Sequence, residues 1–223
     1  MSLVHGIGVF AFRSLTRAIC KVDDAQLDKV PDHGPLILMA NHVHIMEIPL
    51  LYTHLQPRPV TGLLAARRWD RFWTRYLVEK SGAIPLHRSK VDVSALRMAL
   101  EALEQGRILT IAPEGTRSGD GCLQRGLPGI VLLALKSKAP IMPVVHYGSE
   151  EYKRSLTRLR RSEFHLVVGD QFHLRAPEGK VNREVRVKMT DEIMYRMAAL
   201  LPPRYRGVYS DMEQTSEDYI IPV

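Results

Sequence analysis

Short apolar runs alternate with amphipathic stretches along this chain, the pattern that is typical of α/β domains. The first apolar run, Leu36–Ala40, predicts a buried strand, and an amphipathic helix is expected to follow at Glu47–His54. Further strands are predicted at 60–65, 83–86, 107–112, 141–146 and 164–168, and further helices at 69–79, 91–105, 127–137 and 183–201.

The two longest predicted helices end at residues that commonly start or stop helices. Gly106 ends the helix at 91–105, and Asn182 is the predicted N-cap of the helix at 183–201, which ends before Pro202. No internal repeat or low-complexity linker divides the chain. We therefore expect a single domain over residues 1–206.

Residues 1–30 are predicted to form a membrane-associating N-terminal segment that contains an amphipathic helix. Apolar residues recur there at near-helical spacing beside Arg13 and Arg17, in a set that comprises Val4, Ile7, Phe10, Leu15 and Ile19. Such a helix suits a bilayer interface and also suits packing against the domain, so the periodicity leaves both alternatives open. No run of about 20 apolar residues, the length of a spanning helix, occurs in the chain.

The chain is basic, with 31 Lys and Arg against 24 Asp and Glu, a formal net charge of +7 and a pI of about 9.5. This charge favours an anionic partner, and arginines interleaved with Trp69, Phe72 and Trp73 suit an anionic membrane surface. Nucleic acid is not expected, because no helix-turn-helix, RNA-binding or zinc-finger pattern is present. The last basic residue is Arg206, so residues 207–223 are predicted to form an acidic, solvated C-terminal tail.

The first motif that could carry chemistry is Asn41-His42 followed by Glu47. It lies where the strand at 36–40 gives way to a helix, the kind of strand end at which α/β folds place their sites. A carboxylate on one imidazole nitrogen fixes the tautomer and leaves the other nitrogen free to accept a proton. Two alternatives share the pattern: a solvated loop histidine with an unrelated acid, and a metal site of His42, His44 and Glu47, which fits a helix start poorly.

Two further stretches place polar residues where strands are predicted to end. The stretch 82–88 carries Arg88 at the end of a short strand, and the stretch 113–118 follows the strand at 107–112. Gly115 permits close approach of a ligand to the backbone, and Arg117 can hold a phosphate or carboxylate through two parallel hydrogen bonds. Taken alone, each stretch also suits a surface turn or a surface salt bridge.

In their order along the chain, these motifs resemble those of the glycerophospholipid acyltransferase family, the lysophosphatidate acyltransferases and their relatives. The matching residues are Asn41-His42-x4-Glu47, Gly82-x-Ile84-Pro85-x-x-Arg88, Pro113-Glu114-Gly115-Thr116-Arg117-Ser118 and Pro140-Ile141-x-Pro143-Val144. They occur in family order within a motif core at 36–148, about half of the chain. The resemblance implies an α/β fold with a central, mostly parallel or mixed sheet flanked by helices, and a site at the strand ends.

The resemblance also implies a role for each matching residue. His42 would be the general base that deprotonates the acceptor hydroxyl, and Glu47 would orient its imidazole. Arg88 would hold the acceptor phosphate, which Arg67 would also reach. The acceptor site would be lined by Glu114, Gly115, Thr116 and Arg117, and Pro143 would shape the pocket wall.

Two positions depart from the pattern of the family. The acid of the first motif is usually aspartate, and Glu47 reaches about 1.5 Å further, so its helix would have to lie slightly further back. A lysine that often follows the third motif corresponds to Leu127, with Arg125 close by. This second departure leaves details of phosphate or acyl-donor binding open.

The resemblance implies an O-acyltransferase of phospholipid biosynthesis that moves a fatty acyl group from acyl-CoA or acyl carrier protein to a lysophospholipid. 1-Acylglycerol-3-phosphate is the first expected acceptor, and ornithine-type lipids are among the alternatives. Neither a metal nor an organic cofactor is expected, and the protein is expected in the cytoplasm, peripherally associated with the membrane. The alternative function is a lipid-binding or scaffold protein of the same fold, silenced by the substitution at Glu47.

Overall fold

The structure is a computed structural model. It describes residues 10, 13–14, 16–17, 20–43, 47–65, 82–86, 92–148, 157–158 and 160–223, without the side chains of 47–49 and 65. Two predictions, the helix at 69–79 and the aromatic and arginine cluster around Trp69, lie outside the described residues.

Nine strands of the described chain form one sheet. In chain order they are β1 (Cys20–Asp23), β2 (Leu36–Ala40), β3 (Val60–Ala65), β4 (Ile84–Leu86), β5 (Ile108–Ile111), β6 (Ile141–Tyr147), β7 (Ser162–Val168), β8 (Phe172–Leu174) and β9 (Ile220–Pro222). Their order across the sheet is β1-β7-β6-β2-β5-β3-β4, and β8 pairs with β6 and β9. The pairs β6–β7, β6–β8 and β8–β9 are antiparallel and the others are parallel, which confirms the predicted fold class.

Four regular α-helices flank this sheet in the described ranges: α1 (Glu47–His54), α2 (Val93–Glu104), α3 (Gly129–Ser137) and α4 (Arg183–Leu200). Short 3-10 helices lie at Ala25–Lys29, Pro203–Tyr205, Gly207–Tyr209 and Met212–Gln214. Asn182 caps α4 as predicted, because its side chain accepts a hydrogen bond from the N–H of Val185. Within the ranges that the structure covers, no helix is both long enough and apolar enough to cross a bilayer.

The central strand β2 is buried at all five positions because both of its faces are covered. Leu36 and Leu38 face the layer that contains Leu50 of α1. Ile37 and Met39 face the opposite layer, which α2, α3 and α4 supply. The carboxyl end of β2 is therefore a well-packed base for the residues that follow it.

The predicted N-terminal segment, residues 1–30, is wrong at its C-terminal boundary. β1 pairs with β7 in the central sheet, and Leu27 in the following 3-10 helix is buried in the core. The sequence did not reveal β1 because the strand has only four residues and finds its partner far along the chain. The described residues upstream are helical, namely Phe10, Arg13, Ser14, Thr16 and Arg17. The amphipathic helix as a whole, and its contact with a membrane, stay predictions.

The C-terminal residues 207–223 pack on the domain, so the prediction of a solvated tail is wrong. β9 pairs with β8. The carboxylate of Glu192 in α4, which is 2% exposed, accepts hydrogen bonds from the Ser216 hydroxyl and from the N–H groups of Asp218 and Tyr219 at 2.8 to 3.0 Å. The prediction rested on the local charge of the segment, whereas a buried acid on a distant helix binds its backbone.

Candidate active site

The candidate site lies at the carboxyl ends of β2 and β5, which are parallel neighbours in the sheet. Parallel neighbours end at the same edge of a sheet, so the residues that follow them meet there. This arrangement brings His42 next to Glu114, 72 residues later in the chain. Two of the predicted motifs therefore form one local structure.

The backbone of His42 is bound on both sides by the loop that follows β5. Its N–H donates to Oε1 of Glu114 at 2.9 Å, and its carbonyl accepts from the N–H of Ser118 at 2.9 Å. The His42 side chain is half-buried. The loop therefore fixes the backbone position from which the imidazole extends.

Glu114 connects His42 to a second part of the same loop. The residue is 4% exposed, and its Oε2 accepts a hydrogen bond from the N–H of Gln124 at 2.8 Å. Hydrogen bonds from backbone N–H groups to an ionised carboxylate are among the stronger ones in proteins. Both carboxylate oxygens thus bind backbone, and the predicted contact of Glu114 with the acceptor stays a prediction.

Asn41 ties the same strand end to β6. Its side-chain amide donates to the carbonyl of His146 at 2.9 Å, and its Oδ1 accepts from the N–H of His146 at 2.9 Å. Nε2 of His146 lies 2.9 Å from the carbonyl of Asn41, and this nitrogen carries the proton because a carbonyl can only accept. Asn41 and His146 are 2% and 1% exposed. The residue before His42 is thus fixed to a neighbouring strand by three buried hydrogen bonds.

The turn at Gly115 requires glycine for its conformation and for space. Its φ is +66°, and a Cβ at this position would lie 2.4 Å from Cδ1 of Leu127. Leu127 is 55% exposed, and its N–H donates to the carbonyl of Pro113 at 2.8 Å. An exposed apolar side chain therefore covers this turn. Thr116 and Arg117, which follow it, are exposed.

Pro143 is buried within β6. Its carbonyl accepts from the N–H of Gly169 at 2.9 Å, and a Cβ at Gly169 would lie 2.8 Å from its Cγ. β6 pairs with β8 at Ile141 and with β7 from Val144, so Pro143 sits where the outer partner changes and its missing N–H is tolerated. Its predicted role in the pocket wall stays a prediction.

Three predicted site groups lie outside the part of the chain that the structure describes: the side chain of Glu47, Arg67 and Arg88. Glu47 belongs to α1 by its backbone. The pairing of His42 with Glu47 and the contacts of the two arginines with a phosphate therefore stay predictions. Over the described ranges, no group of three or more His, Cys, Asp or Glu side chains is arranged to hold a metal ion.

Sequence reasoning missed three residues that shape this site: Gln124, His146 and Tyr209, whose hydroxyl accepts from the N–H of Gly126 at 3.0 Å. Each contact joins a backbone group to a side chain that is distant in the sequence. His146 alone had a signal, because it ends the strand predicted at 141–146 beside the fourth motif.

The motif residues that meet at this sheet edge also fall within a match to a known family. The family model described as Acyltransferase matches residues 21–147, more than half of the chain. The chain belongs to the acyltransferase family. In this acyltransferase, the match runs from the second residue of β1 to the end of β6, whereas α4 and all residues after it lie beyond the match.

Curated proteins and a solved structure are similar to this acyltransferase. The 1-acyl-sn-glycerol-3-phosphate acyltransferase of Bacillus subtilis (strain 168) is 22% identical over 174 residues, 78% of this chain and 84% of that protein. The lyso-ornithine lipid O-acyltransferase of Pseudomonas aeruginosa is 32% identical over 111 residues, 49% of this chain and 42% of that protein. The crystal structure of the 1-acyl-sn-glycerophosphate acyltransferase PlsC from Thermotoga maritima has the same fold, with a TM-score of 0.59 and 22% identity over 83% of this chain and 75% of that one.

Proposed function

We propose that this acyltransferase moves a fatty acyl group from acyl-CoA or acyl carrier protein to the hydroxyl of 1-acylglycerol-3-phosphate, in phospholipid biosynthesis. The observation that carries the proposal is His42, whose N–H and carbonyl are both bound at the sheet edge inside the matched region. The relatives in Bacillus subtilis and Pseudomonas aeruginosa are named for two different lysolipid acceptors. Their names therefore support the class of acceptor more strongly than its headgroup.

In the proposed reaction, the imidazole of His42 accepts the proton of the acceptor hydroxyl while the hydroxyl oxygen attacks the thioester carbonyl. The tetrahedral intermediate then collapses as the C–S bond breaks, and the departing thiolate takes the proton from the imidazolium. The products are the new ester and a free thiol. Because a thioester is already activated, the enzyme mainly has to move this proton and stabilise the oxyanion.

Substrate contacts in this proposal come from several other residues. Glu47 orients the imidazole of His42, and Arg88 binds the acceptor phosphate together with Arg67. Arg117 is exposed on the loop that binds the backbone of His42 through Glu114 and Ser118, which suits a further contact with the phosphate. No metal or organic cofactor takes part in these steps.

Four backbone N–H groups of the site do not stabilise the oxyanion in this proposal. The N–H groups of His42, Gly115, Ser118 and Gln124 already donate to acceptors within the protein. These hydrogen bonds shape the site, so the oxyanion has to be bound by donors that are free to turn toward it.

We further propose that the enzyme binds the cytoplasmic surface of an anionic membrane as a peripheral protein. Its net charge of +7 supports this attraction. Phe10, which is helical as Arg13 and Arg17 are, is 74% exposed and suits insertion between lipid headgroups.

Acyl transfer by the purified protein tests the proposed function. Thiol release and lipid product are measured with acyl-CoA or acyl carrier protein as donor, and with 1-acylglycerol-3-phosphate or lyso-ornithine lipid as acceptor. We expect His42→Ala to lower kcat by about 10² to 10⁴. His33→Ala is the matched control, because His33 is an exposed histidine before β2 and far from the site in the fold.

Each other outcome leads to a different conclusion. A His42→Ala protein that is as fast as the parent would reject His42 as the base. Transfer to lyso-ornithine lipid alone would change the proposed headgroup. A parent protein that binds anionic vesicles but releases no thiol with either acceptor would favour the silent lipid-binding or scaffold protein.

A further inference from the structure

The loop between β5 and α3, residues 112–128, carries Glu114 but contains no helix or strand apart from turns. Such a loop keeps one conformation when other parts of the chain bind its backbone groups. Several of its partners belong to residues 203–209, which we name the C-terminal segment. This segment lies outside the region 21–147 that matches the acyltransferase family.

The C-terminal segment runs beside the loop, and the two backbones are hydrogen-bonded. The N–H of Leu123 donates to the carbonyl of Tyr205 at 2.9 Å, and the N–H of Val208 donates to the carbonyl of Leu123 at 3.3 Å. A Cβ at Gly207 would lie 2.1 Å from that carbonyl oxygen of Leu123, so the two backbones approach to a distance that only glycine permits. Loop and segment therefore form one hydrogen-bonded unit.

Tyr209 adds a buried hydroxyl to this unit. Its oxygen accepts from the N–H of Gly126 at 3.0 Å, and its proton is donated to Oδ1 of Asp191 on α4 at 3.0 Å. A carboxylate oxygen accepts and an N–H donates, so the direction of both hydrogen bonds is fixed. Tyr209 is 4% exposed, and its ring packs edge-on against Tyr195 with 5.1 Å between the ring centroids. Burial raises the pKa of Tyr209, so the hydroxyl keeps the proton that it donates.

The contact at Gly126 is connected to His42 through one short stretch of loop and one carboxylate. Gln124, two residues before Gly126, donates its N–H to Oε2 of Glu114 at 2.8 Å, and Oε1 accepts from the N–H of His42 at 2.9 Å. We propose that Tyr209 is a positioning residue, which binds the loop at Gly126 so that Glu114 keeps His42 in place for proton transfer. The inference rests on the function proposed above. A displacement near 1 Å of a reacting group can lower a rate about 10²-fold.

The experiment compares Tyr209→Phe with Tyr195→Phe. Each substitution removes only a hydroxyl from a buried tyrosine of the same aromatic pair, and within the described part of the chain the Tyr195 hydroxyl makes no hydrogen bond to the loop. We expect Tyr209→Phe to lower kcat about tenfold without changing the KM for the acyl donor. The exchange rate of the amide hydrogen of Gly126 should rise about fivefold. Tyr195→Phe should change neither quantity.

A double variant separates positioning from a general loss of stability. In a Glu114→Gln background, Tyr209→Phe should lower kcat no further, because the connection to His42 is already broken. Additive losses would overturn the proposal, as would a Tyr209→Phe protein with unchanged kcat. If the parent shows no acyl transfer, the proposed function fails on its own account. In that case the loop contact is still tested separately: it would be overturned if the exchange rate of the Gly126 amide hydrogen were the same in Tyr209→Phe as in the parent.

Discussion

The two ends of β2 and β5 are each fixed by a buried charged side chain that binds backbone groups, but the charges are opposite. At the carboxyl end, the carboxylate of Glu114 accepts two N–H groups. At the amino end, the guanidinium of Arg58, which is 8% exposed, donates to the carbonyls of Pro31, Gly34 and Gly106. Pro31 and Gly34 precede β2, and Gly106 precedes β5.

The two ends differ in what the bound backbone does. Glu114 binds the backbone of the proposed base, whereas Arg58 binds turns that only lead into strands. Both ions are satisfied by backbone dipoles, which makes their burial tolerable. The same kind of contact therefore serves positioning at one end and stability at the other. Substitutions at the two ends should separate the rate of acyl transfer from the stability of the fold.

The largest effect is expected at the carboxyl end. Glu114→Gln should lower kcat about 10²-fold, or about 3 kcal/mol in the activation barrier, because one of the two N–H groups would face an amide NH₂ group. The kinetics are measured with the donor and acceptor of the proposed function. Glu104→Gln, at an exposed acid that ends α2, is the control. If the Glu114→Gln protein had the kcat of the parent, Glu114 would not be a residue that positions His42.

A smaller effect, on stability alone, is expected at the amino end. Arg58→Gln should lower the free energy of unfolding by about 2 kcal/mol, since several charge-assisted hydrogen bonds to carbonyls are lost. The kcat of the folded fraction should stay within about twofold of the parent. Denaturant unfolding and kinetics are compared with those of Arg160→Gln, at an exposed arginine. A fall in kcat at parent-like stability would contradict the division between the two ends.

The smallest effect concerns pH, again at the amino end, because α1 runs back from the site and ends at His54. Burial lowers the pKa of His54 below its usual 6.5. The Leu50 carbonyl and the Asp24 carboxylate oppose this lowering, and Arg13 and Arg17 also contact Asp24. The unfolded chain therefore binds the proton more readily. The contribution of neutral His54 to the stability of the fold is complete above about pH 6.5 and is lost as the pH falls below that value.

Thermal unfolding between about pH 7 and about pH 5 measures this contribution. The Tm of the parent should fall more steeply on acidification than the Tm of His54→Asn. Equal slopes in the two proteins would contradict the lowered pKa of His54. The kcat of the parent, normalised to the folded fraction, serves to separate this effect from titration at the site.

Local patterns were enough to predict most elements of the fold. α1 and β3 have the bounds that the sequence predicted, and Asn182 caps α4. These features depend on residues within a few positions of one another, so the sequence carries their signal directly. The sequence did not predict β1, β8 and β9, because strands of only three or four residues form when a distant partner supplies their hydrogen bonds.

The sequence by itself determined the α/β class, the family, and the placing of His42 and Glu114 after strands; that these two strands are neighbours was decided by the sheet. Only the tertiary structure decided that Glu114 binds the backbone of His42 and of Gln124, and that Tyr209 binds the same loop from beyond the matched region. The reason is physical. A backbone N–H is the same group whichever side chain its residue carries, so a side chain that binds a distant backbone leaves no mark in the sequence at the position it binds.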